Sequence, residues 1–162
     1  MILSLFLSAA ATAGAAPAAS IAQVQPAVVS IDDPKALVTF LQAQGYRAEL
    51  DLKGKDPLIR SGAGGWKYSV YMKGCENGRA CTDLLLQTSW DPDKKNPVTL
   101  DKINDFNRDK RFVRVYLDND KSPVIEMDVI FTDHEMSSKM LQDNLDVWSS
   151  EISTFAKTIG ME

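Results

Sequence analysis

No charged side chain occurs before Asp32, so the first 31 residues are neutral throughout. The chain has only one histidine, His134, and two cysteines, Cys75 and Cys81. These scarcities exclude a good deal. A zinc centre needs several His or Cys ligands in close spacing, and neither HExxH nor a CxxC pair is present. GxSxG, GxGxxG and GxxxxGK are absent as well, which removes the usual sequence signs of a serine hydrolase, a dinucleotide site and a phosphate loop. Basic residues are few and dispersed. With 18 Lys and Arg against 22 Asp and Glu, no stretch forms an electrostatic footprint for nucleic acid.

The neutral start is itself informative. Met1–Ala16 is an apolar run of about 15 residues, shorter than the roughly 20 that a membrane-crossing helix requires. Small-residue sites follow at Ala16-Pro17-Ala18 and Ser20-Ile21-Ala22, so residues 1–22 have the anatomy of a signal peptide, although only the terminal amine supplies its positive end. An uncleaved anchor is the competing reading, and the lack of a cysteine behind the run argues against a lipid-modified terminus. The expected address is periplasmic or secreted, without stable membrane insertion after processing.

Such an address favours a Cys75–Cys81 disulfide. Asn77-Gly78 lies between the two cysteines and between two strand-like runs, so the bond is expected to clamp a hairpin loop. Closing so short a loop stabilises by about 2 kcal/mol.

Residues 23–31 read as a loose arm, and about 130 residues from 32 to 160 read as one domain able to bury its own core. Asp33-Pro34 opens a helix over about 33–44, with Leu37, Phe40 and Leu41 on one face and Gly45 as its stop. Alternation then gives strands after Tyr46, at Leu58–Arg60, at Trp66–Lys73 and at Asp83–Trp90, with Gly62-Ala63-Gly64-Gly65 as a hairpin turn. Thr99 caps a short helix ending near Arg108. Strands Arg111–Leu117 and Val124–Phe131 flank a turn at Asp118–Ser122. Thr132 and Glu135 suggest a capping box for a last helix with a stripe of Met136, Met140, Leu141, Leu145, Trp148, Ile152, Phe155 and Ile159. The expected fold is α+β, in the order α-β-β-β-β-α-β-β-α, with an antiparallel sheet of about six strands packed by helices.

These elements, the Gly74-Cys75…Cys81 hairpin, Asn104-Asp105-Phe106-Asn107, Arg111-Phe112-Val113-Arg114-Val115-Tyr116-Leu117-Asp118 and a Trp-bearing last helix together resemble the YbjN family. The resemblance spans about residues 32–160. It implies a fold similar to type III secretion chaperones and a role in bacterial sensory transduction, without established catalytic activity or cofactor. The turn Asn119-Asp120-Lys121-Ser122 departs from the family in lacking an early Gly.

Candidate chemistry is sparse. His134 reads as a polar residue at the start of the last helix. Asp118, Asn119, Asp120 and Ser122 resemble the opening of a calcium loop, but Pro123 and Val129 occupy the positions where Gly and the bidentate Glu belong. Glu126 and Asp128 alternate on one strand face and could in principle serve acid–base chemistry together with His134. Strand Arg111–Asp118 carries apolar groups on both faces, with Phe112, Arg114 and Tyr116 on one of them. These, joined by Tyr71, form the candidate surface for a protein partner or a homodimer. The alternative is a small-ligand sensor whose pocket is lined by Trp66, Trp90 and Trp148. The expected function is a non-enzymatic binding domain without cofactor.

Overall fold

The computed structural model describes residues 26–161. The expected signal peptide lies outside them.

Three helices and eight strands follow in the order β1 (Val28–Ser30), α1 (Pro34–Ala43), β2 (Arg47–Asp51), β3 (Leu58–Ala63), β4 (Trp66–Lys73), β5 (Asp83–Ser89), α2 (Leu100–Asp109), β6 (Arg114–Leu117), β7 (Pro123–Ile130), β8 (Glu135–Ser137) and α3 (Ser138–Thr158). Six strands make one antiparallel sheet in the order β2-β3-β4-β5-β7-β6. The α+β fold expected from the sequence is therefore present. β2 to β5 form a meander, after which α2 carries the chain past the position of the next strand. β6 lands on the far edge, and β7 returns into the gap between it and β5.

Alternation along each strand divides the sheet into two unlike faces. Ile59, Val70, Leu86 and Met127 are direct cross-strand neighbours and all are buried. They meet Leu37, Phe40 and Leu41 of α1, Ile103 and Phe106 of α2, and Leu141, Leu145, Trp148, Ile152 and Phe155 of α3 in a single core. Edge-to-face aromatic contacts join the layers, Tyr68 to Trp148 at 5.6 Å and Phe106 to Phe155 at 4.9 Å between ring centres. The helices occupy this face alone. The opposite face carries Lys67, Ser69, Tyr71 and Lys73 of β4, none of them fully buried.

Helix starts follow their caps. Asp33 accepts the Lys35 N–H with Pro34 in the first turn, and Thr99 accepts the Lys102 N–H. The third helix corrects the expectation. Thr132 and Glu135 do not cap it; the Glu135 N–H bonds the Thr132 carbonyl at 2.9 Å in a tight turn, with Asp133 and His134 both at positive φ. This is the backbone of a type I′ hairpin turn. The chain then forms β8, and Ser137 caps α3 by accepting the Met140 N–H. Met136 lies in β8, and Met140 is 56% exposed, so neither belongs to the buried stripe.

What β8 pairs with corrects a second expectation. Described from Pro26 onward, the segment read as a loose arm is ordered: β1 runs antiparallel to β8 with Val29 opposite Met136. Val29 is buried and Ile31 wholly so. The Ser138 N–H and hydroxyl extend the contact to the carbonyls of Ala27 and Pro26. Ile31 is therefore a core residue. Ile31→Ala should lower unfolding free energy by about 2–5 kcal/mol, as truncation of a fully buried aliphatic side chain does, measured by urea denaturation with an unchanged m-value.

Candidate functional site

β7 lies inside the sheet, and Pro123–Met127 are all buried. Its even-numbered residues face away from the helices. Glu126 thus puts a carboxylate on the face that no helix covers, yet is only 4% exposed. Neighbouring side chains shield it. Across the sheet Glu126 stands opposite Arg114 of β6 on one side and Gln87 of β5 on the other. Arg114 Nε donates to Oε2 at 2.7 Å, the Tyr116 hydroxyl donates to Oε1 at 2.6 Å, and Gln87 Nε2 also donates to Oε1. The Arg114 side chain, itself 64% exposed, forms the lid of this cluster.

Such a carboxylate is an acceptor held in place. Burial would push Glu126 upward, but the hydrogen bonds from Tyr116, Gln87 and Arg114 outweigh it and keep the group below its ordinary value of 4.5. Tyr116 moves the other way, to about 12, through burial and its bond to Glu126. A base with a depressed pKa and both oxygens occupied is poorly suited to taking a proton. Asp128 projects from the same face but is exposed, and His134 stands in the turn before β8. His134 Nδ1 lies 2.8 Å from the Cys81 carbonyl, which can only accept, so Nδ1 donates. The reading of His134 as a residue of the last helix is corrected accordingly: it ties the disulfide loop to the β7–β8 turn.

The other candidates are placed as follows. Cys75 and Cys81 are joined, and Asn77 and Gly78 adopt positive φ in the loop between them. Asp118 Oδ1 accepts the N–H groups of Asp120 and Ser122, each at 2.9 Å, so this oxygen closes the hairpin. Among the described residues no group of three or more His, Cys, Asp or Glu side chains is arranged to hold a metal. Trp148 is wholly buried and Trp90 nearly so, while Trp66 lies edge-on to Trp90 at 5.6 Å and Trp90 edge-on to Phe155 at 5.7 Å. The indoles do packing work between sheet and helices.

Of the four residues expected at a partner surface, Arg114 and Tyr116 are brought together by Glu126. Tyr71 lies two strands away, in a row with Leu58 and Leu85 that ends at Asp128. Phe112 precedes β6, 59% exposed, with the Arg111 guanidinium over its ring at 5.4 Å. β6 is an edge strand whose helix-side residues are Val115, buried, and Leu117, partly buried against the core. Gln87 was missed by sequence reasoning; a lone amide at an outward position of an apolar strand was the available signal.

Asn107 was quoted only as part of a motif, and its task is specific. Its Nδ2 donates to the Val115 carbonyl and its Oδ1 accepts the Val115 N–H, both at 2.9 Å. One side chain thus pairs both edge-facing groups of Val115, as a neighbouring strand would. These residues fall within a family match: the model of YbjN, "Putative bacterial sensory transduction regulator", covers residues 33–161. The chain belongs to the YbjN family. β1 lies just upstream of the matched region, and no curated protein matches this YbjN chain.

Two outcomes follow. Glu126→Gln should cost about 1.5–3 kcal/mol at neutral pH, the range for hydrogen bonds to a charged group. The carboxyl is more acidic folded than unfolded, so its stabilisation is present above about pH 4.5 and is lost as pH falls through the lowered folded value. The acid limb of stability against pH should accordingly flatten in the variant. Asn107→Ala should cost about 1–3 kcal/mol by stranding the Val115 groups, and should introduce concentration-dependent association in sedimentation as the β6 edge opens.

Proposed function

We propose that this YbjN protein is an exported, non-enzymatic regulatory domain that engages a protein partner, or a second copy of itself, through the helix-free face of its sheet. The observation that carries this reading is the composition of that face. Leu58, Tyr71 and Leu85 lie side by side across three strands, half-buried only by one another and their neighbours, and Ile130 of β7 is 75% exposed. Beside them Arg114 and Tyr116 are held rigid on Glu126. Apolar anchors next to an immobilised Arg and Tyr are the residue types that dominate binding energy at protein interfaces, and their ordering cost is met before any partner arrives.

Membership of a family of sensory transduction regulators supports a regulatory role, and a carboxylate with every oxygen engaged supports a non-catalytic one. The charge-free leader and the Cys75–Cys81 bond support export. Among the described residues no helix is long and apolar enough to cross a membrane.

Site-specific photocrosslinking in intact cells tests the reading. A photoreactive residue at Tyr71 should give a discrete adduct, whereas one at exposed Asp101 on α2 should not. Phe112→Glu and Ile130→Glu should each reduce that adduct at least tenfold without changing the circular dichroism. Mass spectrometry of the adduct should find the chain starting between Ala16 and Pro26, with both cysteines protected from alkylation. Equal adducts from both positions would refute the face, and an intact leader with free thiols would refute export.

A further inference from the structure

The six-stranded sheet has two outer edges, β6 and β2, and they are finished differently. On β6 the Asn107 carboxamide pairs both outward main-chain groups of Val115. On β2, Gln42 Nε2 donates to the Ala48 carbonyl at 2.9 Å, which identifies Ala48 as a residue whose main-chain groups face away from β3. Antiparallel pairing alternates between residues that bond their partner strand and residues that face outward. Leu50, two positions on, must therefore face outward as well. Neither its N–H nor its carbonyl has a hydrogen-bond partner among the described residues. Gln42 meets one acceptor of this edge and leaves the rest open.

The open part of the edge borders a cleft. About 420 Å³ in volume, it lies between β2, the start of α1, the β2–β3 loop and the disulfide loop. Leu50 and Leu52 form part of its wall, and Leu52 is 60% exposed. Lys35, Lys55 and Arg79 stand around it. The single acid in the lining, Asp33, already accepts the Lys35 N–H at 3.0 Å as the α1 cap and lies 3.8 Å from Arg79. Lys35 and Lys55 have no ion-pair partner among the described residues. The cleft is thus net positive in a chain whose net charge is −4. The disulfide holds Arg79 in this position, since the Ala80 N–H bonds the Asp32 carbonyl at 3.2 Å and the loop is closed at its neck.

We propose that the β2 edge at Leu50 is a docking site for an extended acidic peptide segment of a partner, which adds as a seventh strand. Its main chain bonds the open groups of Leu50, and its carboxylates face Lys35, Lys55 and Arg79. Main-chain bonding supplies affinity in strand addition and the flanking side chains supply selectivity. Lys53 donates its N–H to Asp51 Oδ1, so the chain turns away directly after Leu52 and the added ladder is short. This surface is separate from the sheet face proposed above.

Isotope-labelled protein titrated with the peptide acetyl-(Glu-Val)3-amide tests the site. Shift changes and slowed amide exchange are expected at Leu50, with none at Val115. Two peptides methylated on alternate amides distinguish main-chain pairing from charge attraction: one of them should bind at least tenfold more weakly than the parent. Replacing Glu by Lys in the peptide, or combining Lys55→Glu with Arg79→Glu in the protein, should also weaken binding at least tenfold. Equal binding by both methylated peptides, protection at Val115, dimerisation through β2 without peptide, or no shift at millimolar peptide would each overturn the proposal. Shifts confined to Tyr71 and Tyr116 would overturn it too, while leaving the sheet-face reading intact.

Discussion

β7 must be satisfied on both sides at once, because it is paired with β5 and β6 along its edges and covered by helices on one face only. On the helix side Ile125, Met127 and Val129 meet the requirement by burial. On the other side an ionised carboxylate is made tolerable only by its partners, since a buried charge is costly unless paired and hydrogen-bonded. Glu126 therefore requires Gln87, Arg114 and Tyr116 to lie in register, and that register exists only because β7 enters the gap between β5 and β6. The arrangement of the site and the topology of the sheet are the same fact.

A similar dependence holds at the opposite end. The disulfide loop, the β7–β8 turn and the segment before α1 are mutually bonded: His134 donates from Nδ1 to Cys81, and its own carbonyl accepts the Ile31 N–H. Asp133 and His134 hold positive φ, a conformation side chains rarely adopt, and these contacts over-determine it. The segment from Pro26 to Ile31 is thereby part of the fold.

These constraints shape what the surface can do. Sheets with open edges tend to pair with other chains, and here Asn107 closes one edge at Val115 while the other edge borders a positive cleft. The helix-free face presents a row of apolar residues beside a rigid polar cluster. Both features underlie the proposed recognition of another polypeptide, by side chains on the face and by main chain at the β2 edge.

Much of this architecture was legible in the chain itself. Trp66–Lys73 alternates so cleanly that its strand has the bounds expected of it, and the caps Asp33 and Thr99 begin their helices where polar side chains can accept N–H groups. Local signals suffice where the energy is local, in a cap, a turn or a buried stripe. The Thr132–Glu135 spacing suits either a capping box or a tight turn, and pairing with distant Val28–Ser30 decided between them. Alternation put Glu126 and Asp128 on one face, but only cross-strand register buried the first and left the second in water. The motif containing Asn107 was visible, whereas its pairing with Val115 depends on α2 packing against β6. Sequence by itself determined which elements form and which sides of them are apolar, because those follow from period and propensity. Tertiary structure alone decided which polar groups find partners, since that depends on register and proximity between segments far apart in the chain.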